Sequence, residues 1–327
     1  MTADMDQVIN LRSKCKYFRV LVIGRANAGK TTLLKKVCKS IANPEIFSPG
    51  DPFYCCRGIS RGSEFSIPQS FLLSIIQRGL HNIENQLIFK SNPQFIFHDS
   101  RGFESGSVYE TDKVKTFITK RAESTSLSEQ LHAIWYCLPP DTDRPLLKAD
   151  EDFFNTYGTD KVPVIAIFTK FDGLVTEAYT DLLDDGSSKK EARNGAVKRA
   201  EELLETSFRK PLSEMRFPPS DYVRLDDMRK DTNNCNDLIA TTAKALNDDT
   251  LRLLFVSVQQ NNFDVCIEYA VEVGVEARDL KGMVRDMLAC FPHVWVTSSH
   301  DALVDPLLSF ALHHSEGRGC QYQLCEV

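Results

Sequence analysis

Continuous apolar runs alternate with amphipathic segments along the first half of the chain. Buried strands are predicted at residues 17–23, 131–138 and 162–169. Helical periodicity is found at residues 31–41, 108–122 and 147–157. Residues 87–89 and 94–98 predict two strands joined by a tight turn at Ser91, Asn92 and Pro93. Apolar strands that alternate with helices are typical of an α/β protein with a mostly parallel sheet and helices on both faces.

The pattern changes after residue 172. Residues 174–247 are polar and rich in charge, and residues 189–208 within them have strong helical periodicity. The apolar run at residues 251–258 predicts the last strand of the sheet, so we expect residues 173–250 to form a helical insertion before that strand. One or two helices are predicted at 264–288 and a short apolar helix at 302–312. Residues 62–77 are interpreted as an irregular insertion.

Composition and charge narrow the class of protein. The chain has 327 residues, 39 Lys and Arg against 45 Asp and Glu, and a net charge of −6, so we expect no nucleic-acid partner. No apolar run approaches the ~18 residues of a membrane span, and residues 1–16 are too polar for a secretory signal. The ten cysteines form no C-x-x-C pair, which favours free thiols and a cytoplasmic location.

A glycine-rich loop follows the first strand. Residues 24–31 read G-x-x-x-x-G-K-[ST] between a strand and a helix, the context in which backbone N–H groups cradle phosphates. Lys30 would neutralise the β- and γ-phosphates, and the Thr31 hydroxyl would bind Mg²⁺. The candidate nucleotide-binding residues here are Gly24, Arg25, Ala26, Asn27, Ala28, Gly29, Lys30, Thr31 and Thr32.

An aspartate and a glycine follow the apolar strand at 94–98 with D-x-x-G spacing. Asp99 could hold Mg²⁺ through water, and the N–H of Gly102 could contact a γ-phosphate. Phe103 comes next, where many GTPases place a glutamine that orients the attacking water. Arg101 and Arg25 are either charge stabilisers for the reaction or ordinary surface arginines.

A T-K-x-D segment ends the strand at 162–169. The carboxylate of Asp172 could accept hydrogen bonds from N1–H and N2 of guanine, a donor pair that adenine lacks. The stem of Lys170 could pack along the base, and Thr169 stands where the commoner form of the motif has asparagine. At the end of the predicted last strand, backbone N–H groups of Ser257 and Val258 could contact the guanine O6.

These motifs, in this order, resemble P-loop GTPases of the translation-factor-related class. The form G-x-x-N-x-G-K-T is similar to the Era/TrmE-like branch, and the runs at 78–85, 95–106, 132–145 and 161–172 resemble fungal G-domain-containing proteins. The resemblance implies a G domain at residues 17–290 that binds GTP and GDP and hydrolyses GTP with Mg²⁺, followed by an extension at 291–327. In that branch the asparagine at the position of Asn27 can bind K⁺, and an apolar residue is tolerated at the position of Phe103.

The chain departs from this pattern in the first switch, where such GTPases carry a threonine that reaches Mg²⁺. No threonine occurs between Leu33 and Glu110, although Ser60, Ser63 or Ser74 could substitute. Three functions therefore stay open: a slow GTPase stimulated by a partner or a dimer, a GTP-binding interaction module without useful hydrolysis, and an ATP-using P-loop enzyme. The helix predicted within residues 189–210 is either a solvated face or a surface for an effector or a second copy.

Overall fold

The computed structural model describes residues 5–49, 82–100, 108–142, 144–156, 158–159, 161–259, 262 and 266–271. The chain divides into two compact units, one of residues Cys15–Arg252 and one that combines Met1–Lys14 with Leu253–Val327. The predictions for residues 62–77, for 272–288 and for 291–327 lie outside the described residues. The domain limits at residues 17 and 290 stay predictions.

The first unit contains a mostly parallel sheet. Its strands are β1 (Phe18–Gly24), β2 (Glu45–Phe47), β3 (Gln86–Phe89), β4 (Asn92–Asp99), β5 (Ala133–Leu138), β6 (Val164–Phe168) and β7 (Asp221–Arg224). In the described part of the chain these seven strands lie in the order β2-β3-β4-β1-β5-β6-β7. β4, β1, β5, β6 and β7 are parallel, whereas β3 pairs antiparallel with β2 and β4. The predicted mostly parallel sheet is therefore confirmed.

Helices connect most of the strands. They are α1 (Met5–Lys14), α2 (Lys30–Val37), α3 (Val108–Ala122), α4 (Lys148–Thr156), α5 (Phe171–Asp184), α6 (Lys189–Leu204), α7 (Lys210–Ser213), α8 (Asn236–Ala245) and α9 (Asp249–Ser257). A π-helical turn at Glu205–Arg209 joins α6 to α7, and residues 266–271 are helical in the second unit. The helices expected from periodicity before residue 210 are all present, within a few residues of the expected bounds.

Two neighbouring residues of β5 show that helices cover both faces of the sheet. Trp135 and Tyr136 point to opposite faces because side chains alternate along a strand. The ring of Tyr136 lies 4.9 Å from the rings of Phe153 and Phe154 on α4. The indole N–H of Trp135 donates to the hydroxyl of Thr242 on α8, at 3.1 Å. Both sheet faces are thus dry, which explains why β1, β5 and β6 are buried along their whole length.

One buried arginine interrupts the apolar run of β1. The side chain of Arg19 is only 2% exposed, and its guanidinium donates to Nε2 of His98 at 2.8 Å and to the carbonyl of Ser128 at 2.9 Å. His98 in turn donates from Nδ1 to the carbonyl of Ile83. Burial and the charge of Arg19 hold the pKa of His98 well below its ordinary value. Because His98 is neutral, its Nε2 carries no proton and can accept the hydrogen bond from the buried guanidinium of Arg19.

The hairpin of β3 and β4 is confirmed with a shift in its turn. Phe89 pairs with Asn92, so Lys90 and Ser91 form the turn. Asn92 and Pro93 belong to β4 instead of the turn in which they were predicted.

The prediction of a last strand at residues 251–258 is wrong. This segment forms α9, whose residues from Leu253 to Ser257 are all buried. A short run that is apolar all round fits a buried helix as well as a buried strand. The side chain of Asp248 favours the helix. It accepts a hydrogen bond from the N–H of Leu251 at 3.0 Å and so caps the first turn.

The last strand is β7, which lies inside the region predicted to be a helical insertion. Only Val223 of its four residues is buried, as expected for a strand at the sheet edge. The helices of this region include the pair α5 and α6, which pack closely: a Cβ on Gly195 of α6 would lie 3.2 Å from Cδ1 of Leu182 on α5. The insertion therefore precedes a different strand from the one that the sequence suggested.

Candidate functional site

A cavity of about 640 Å³ lies at the carboxyl ends of the parallel strands. Ligands of open α/β sheets bind at this edge, where the strand order reverses. Three segments predicted from the sequence meet there: the loop before α2, the end of β4 and the segment after β6. The cavity is lined by Asn27, Ala28, Gly29, Lys30, Thr31, Thr32, Leu33, Asp99, Asp141, Thr169, Lys170, Asp172, Gly173, Asp226, Asp227, Met228 and Arg229.

The loop between β1 and α2 has the tight backbone that its glycines allow. A Cβ on Gly24 would lie 2.5 Å from the carbonyl oxygen of Cys137, so only glycine fits against β5 here. Gly29 caps α2 with φ 76°, and Asn27 has φ 59°, a conformation that asparagine tolerates better than most residues. The N-terminus of α2 consequently opens into the cavity.

Lys30 folds back over this loop. Its ammonium donates to the carbonyl oxygens of Gly24 and Arg25, both at 2.9 Å, and lies 4.0 Å from Oδ1 of Asp99. Asp99 is the last residue of β4, and the pairing of Asp99 with Val22 of β1 brings it beside the loop. An ammonium has three N–H donors, so two are used within the loop and one is left for an anion in the cavity.

Arg25, Gly24 and Ala26 belong to the loop but do not line the cavity. The guanidinium of Arg25 is buried and donates to the carboxylate of Asp150 at 2.7 Å and to the carbonyls of Arg144 and Pro145. Asp150 also accepts the hydroxyl of Tyr136 at 2.7 Å. Both alternatives for Arg25, a charge stabiliser or a surface arginine, are therefore wrong. Its buried guanidinium instead ties the loop to α4 and to the two carbonyl groups before that helix.

The segment after β6 reaches the cavity from the other side. The hydroxyl of Thr169 donates to the carbonyl oxygen of Ala28 at 3.0 Å, and Nζ of Lys170 lies 3.3 Å from Oδ2 of Asp141. Lys170 has φ 55° and caps the N-terminus of α5. Asp172 lies in the first turn of that helix, and its Oδ1 is buried with no hydrogen-bond partner among the residues described. A buried carboxylate oxygen without a donor is costly unless a ligand supplies one.

The residues on one wall of the cavity were not predicted from the sequence. Asp226, Asp227, Met228 and Arg229 follow β7 and line the cavity beside Asp172. Asp227 accepts from Nε of Arg229 at 2.7 Å and from Nη2 at 3.2 Å. This bond lowers the pKa of Asp227 and raises that of Arg229, to which the negative charge of Asp172 also contributes. The only sequence signal was the charged run itself, because the four residues of β7 have no apolar pattern.

Two other predicted positions belong to the unit that contains Leu253–Val327. Ser257 and Val258 were expected to follow the last strand, but Ser257 ends α9 and both residues are buried. Their assignment as nucleotide contacts loses its basis, since β7 and the residues after it occupy the expected position. Gly102, Arg101 and Phe103, and the serines considered for the first switch, lie outside the described residues.

The donor set of the cavity fits a magnesium ion bound together with a phosphate. Mg²⁺ usually keeps several waters and takes one or two protein oxygens besides those of the phosphates. Thr31 and Asp99 supply a hydroxyl and a carboxylate to the same cavity. In the described ranges, this cavity included, no three His, Cys, Asp or Glu side chains come together as a metal site built from protein ligands alone would require.

Comparison with family models and with curated proteins finds no match: no family model matches the chain, and no curated protein matches it significantly.

Within the part of the chain that the structure covers, no helix has the length and apolar character needed to cross a bilayer. The cysteines described are free and buried, which agrees with the expected free thiols: Cys15, Cys38, Cys137, Cys235 and Cys266.

Proposed function

We propose that this cavity binds a guanine nucleotide and that the chain hydrolyses GTP to GDP and phosphate, slowly unless a partner or a second copy raises the rate. The observation that carries the proposal is the bond from Thr169 to Ala28. It joins a loop suited to phosphates and a helix turn whose aspartate has a buried oxygen without a donor. A triphosphate at one end of the cavity and a guanine at the other would use both features.

The phosphate end is supported by the charge around the loop. The N–H groups that begin α2 and the ammonium of Lys30 favour an anion. Thr31 and Asp99 would hold Mg²⁺, which supplies positive charge that offsets the charge of the phosphates. Asn27 lines the same cavity, so its side-chain oxygen is available for the K⁺ ion that the resemblance implies.

The base end is supported by Asp172. Its carboxylate would accept both N1–H and the 2-amino group of guanine, whereas adenine offers no such donor pair. The wall at residues 226–229 and the stem of Lys170 would enclose the faces of the ring. This arrangement argues against an ATP-using enzyme.

A second candidate is a GTP-binding module without useful hydrolysis. One observation favours it: the described residues that line the cavity include no glutamine, glutamate or histidine that could orient a water molecule. Phosphate release by the wild type and by Lys30→Ala, measured with Mg²⁺ in K⁺ and then in Na⁺ buffer, separates the two functions. Turnover that depends on Lys30 supports a GTPase, and tight GTP binding with no turnover supports the module.

Asp172→Asn tests the binding of guanine directly. The amide nitrogen replaces one acceptor oxygen by a donor, which suits the C2 carbonyl of xanthine and opposes the amino group of guanine. We expect GTP affinity to fall by ~100-fold and XTP affinity to rise, because an unpaired buried group costs ~1–3 kcal/mol. Asp141→Asn, at another aspartate of the cavity, should leave the ratio of the two affinities unchanged. An unchanged ratio in Asp172→Asn would contradict the assignment.

A further inference from the structure

Lys36 on α2 bonds to the loop that forms one wall of the cavity. Its ammonium donates to the backbone carbonyl oxygen of Lys230 at 2.7 Å, directly after the wall at residues 226–229. The side chain of Lys36 is only 20% exposed, and its Nζ lies 4.0 Å from Oδ1 of Asp231. A hydrogen bond from an ammonium is stronger than one between neutral groups, because the donor is charged. The loop after β7 is therefore attached to the helix that begins at Lys30.

The position of Lys36 on α2 explains how it reaches this loop. Thr32 and Leu33 line the cavity, and Lys36 follows them at helical i, i+4 and i, i+3 spacing. Its side chain thus begins one turn beyond the part of the helix that lines the cavity. Lys36 does not itself line the cavity, so its effect on a ligand has to act through the loop.

The loop has further hydrogen bonds around the same carbonyl groups. The carbonyl oxygen of Lys230 also accepts the N–H of Asn233 at 3.2 Å, and that of Asp227 accepts the N–H of Lys230 at 3.1 Å. The side-chain amide of Asn233 donates to the carbonyl of Asp227 at 2.9 Å. These bonds lie within the loop and fix its shape, whereas the bond from Lys36 attaches the loop to α2.

We propose that Lys36 is a positioning residue of the nucleotide site. Through its bond to the carbonyl of Lys230 it holds the wall at residues 226–229 against the ring of a bound base. This inference rests on the proposed function, since the wall has a ligand to enclose only if a base lies beside it. Lys30 and Lys36 would then act on the two ends of one nucleotide from a single helix, Lys30 directly and Lys36 through the loop. Without the bond from Lys36 the wall moves away from the base, and the nucleotide dissociates sooner.

Removal of the ammonium from the full chain tests the proposal. Lys36→Leu keeps a side chain that favours a helix but removes the donor. We expect the affinity for GDP to fall by ~5-fold, mostly through faster dissociation, because the loop covers a base that is already bound. Lys36→Arg keeps a charged donor and should bind GDP within ~2-fold of the wild type. Lys35→Leu makes the same change one position earlier on α2 and should bind GDP like the wild type, because the bond to the loop comes from Lys36.

A double-mutant cycle shows whether Lys36 acts through the wall. Arg229 is the cation of the wall, so Arg229→Ala removes a group that Lys36 would position. The loss of GDP affinity in Lys36→Leu/Arg229→Ala should then be well below the product of the two single losses. Independent effects, such as a general loss of stability, would multiply instead. Urea unfolding of each variant measures stability separately from affinity.

The outcomes separate this inference from the proposed function. A wild type that binds no guanine nucleotide contradicts the proposed function, and the inference about Lys36 falls with it. A wild type that binds GDP, with Lys36→Leu of equal affinity, overturns the inference alone. A Lys36→Arg variant as weak as Lys36→Leu, or single losses that multiply in the double variant, would overturn it as well.

Discussion

The hydroxyl of Thr169 donates to the carbonyl oxygen of Ala28, 3.0 Å away, and so joins the end of β6 to the loop before α2. Both residues are buried, and a Cβ on the next residue of the loop, Gly29, would lie 3.9 Å from Cβ of Thr169. The threonine that replaces the commoner asparagine therefore keeps a contact between the two motifs. The bond is thus a direct link between the two motifs.

Replacing Thr169 by valine should weaken both the fold and the nucleotide site. Valine keeps the shape but leaves the buried carbonyl of Ala28 without its donor, which costs ~1–3 kcal/mol. We expect the free energy of unfolding in urea to fall by that amount and the affinity for GDP to fall by ~5-fold or more, since the bond also positions the site. Isothermal titration calorimetry measures the affinity.

Two controls separate this bond from a general effect of removing a hydroxyl. Thr169→Ser keeps the donor and should bind GDP within ~2-fold of the wild type. Thr180→Val removes an exposed hydroxyl that bonds only within α5, so affinity should be unchanged. Equal affinity in Thr169→Val and in the wild type would show that the bond does not position the site.

Sequence patterns predicted the positions of the loop before α2 and of Asp99 because each is a short motif at the end of a long apolar strand. β1 and β6 are buried on both faces, so their runs are continuous and their ends are sharply marked. Because the carboxyl ends of parallel strands share one edge of the sheet, the motif residues lie at that edge independently of the other elements. This explains why the sequence alone predicts that Lys30, Thr31, Thr169 and Asp172 lie at the same end of the sheet, where they line one cavity.

The far side of the cavity could not be predicted in this way. β7 is an edge strand with one buried residue, whereas the run at 251–258 looked more like a strand and is a helix. An apolar run indicates that a segment is buried, but it does not indicate whether the backbone is helical or extended. The burial of Arg25 could not be predicted either, because its partner Asp150 lies more than a hundred residues away in the chain.

Loss of Arg25 should destabilise the protein more than its position in a loop suggests. The guanidinium is the counter-charge of Asp150, whose side chain is fully buried. Arg25→Met should lower the free energy of unfolding by ~3–5 kcal/mol, because it leaves that carboxylate buried and without its cation. Chemical denaturation followed by circular dichroism provides the measurement.

The double variant Arg25→Met/Asp150→Asn isolates the cause. It removes the uncompensated charge but keeps an acceptor oxygen for the hydroxyl of Tyr136, so it should be more stable than Arg25→Met alone. Lys148→Met, which breaks an exposed ion pair with Asp152, should cost less than ~1 kcal/mol. If the double variant were the less stable of the two, the buried charge could not be the source of the loss.

The wall after β7 should contribute affinity without selecting the base. Arg229 is 80% exposed in the structure and lines the cavity, and a planar guanidinium can lie against either purine. We expect Arg229→Ala to lower the affinity for GTP and for ATP by a similar factor of ~3–10, with stability nearly unchanged. Lys230→Ala, at the next residue, should change neither affinity. A loss confined to GTP would mean that Arg229 reads the edge of guanine.

Acid should destabilise the protein through His132. Its Nδ1 accepts the backbone N–H of Arg19 at 2.9 Å, so the proton sits on Nε2, which donates to the carbonyl of Leu127. Burial, and less strongly the charge of Arg19, lower the pKa of His132 from an ordinary 6.5 to about 4. Between these values the unfolded chain binds a proton that the folded chain does not, so stability falls as the pH drops from 6.5 towards 4.

The size of the effect follows from the same linkage. One histidine with this shift contributes a slope of ~1.4 kcal/mol per pH unit in that window. Urea unfolding at pH 7.5, 6.0 and 5.0 measures the slope, and His132→Gln should reduce it by about that amount because glutamine does not titrate. His132→Gln is expected to be less stable at neutral pH, since it loses the acceptor for the N–H of Arg19, and only the change in slope bears on the prediction. An unchanged slope would mean that the ring takes up its proton without unfolding, against the buried hydrogen bonds that hold it neutral.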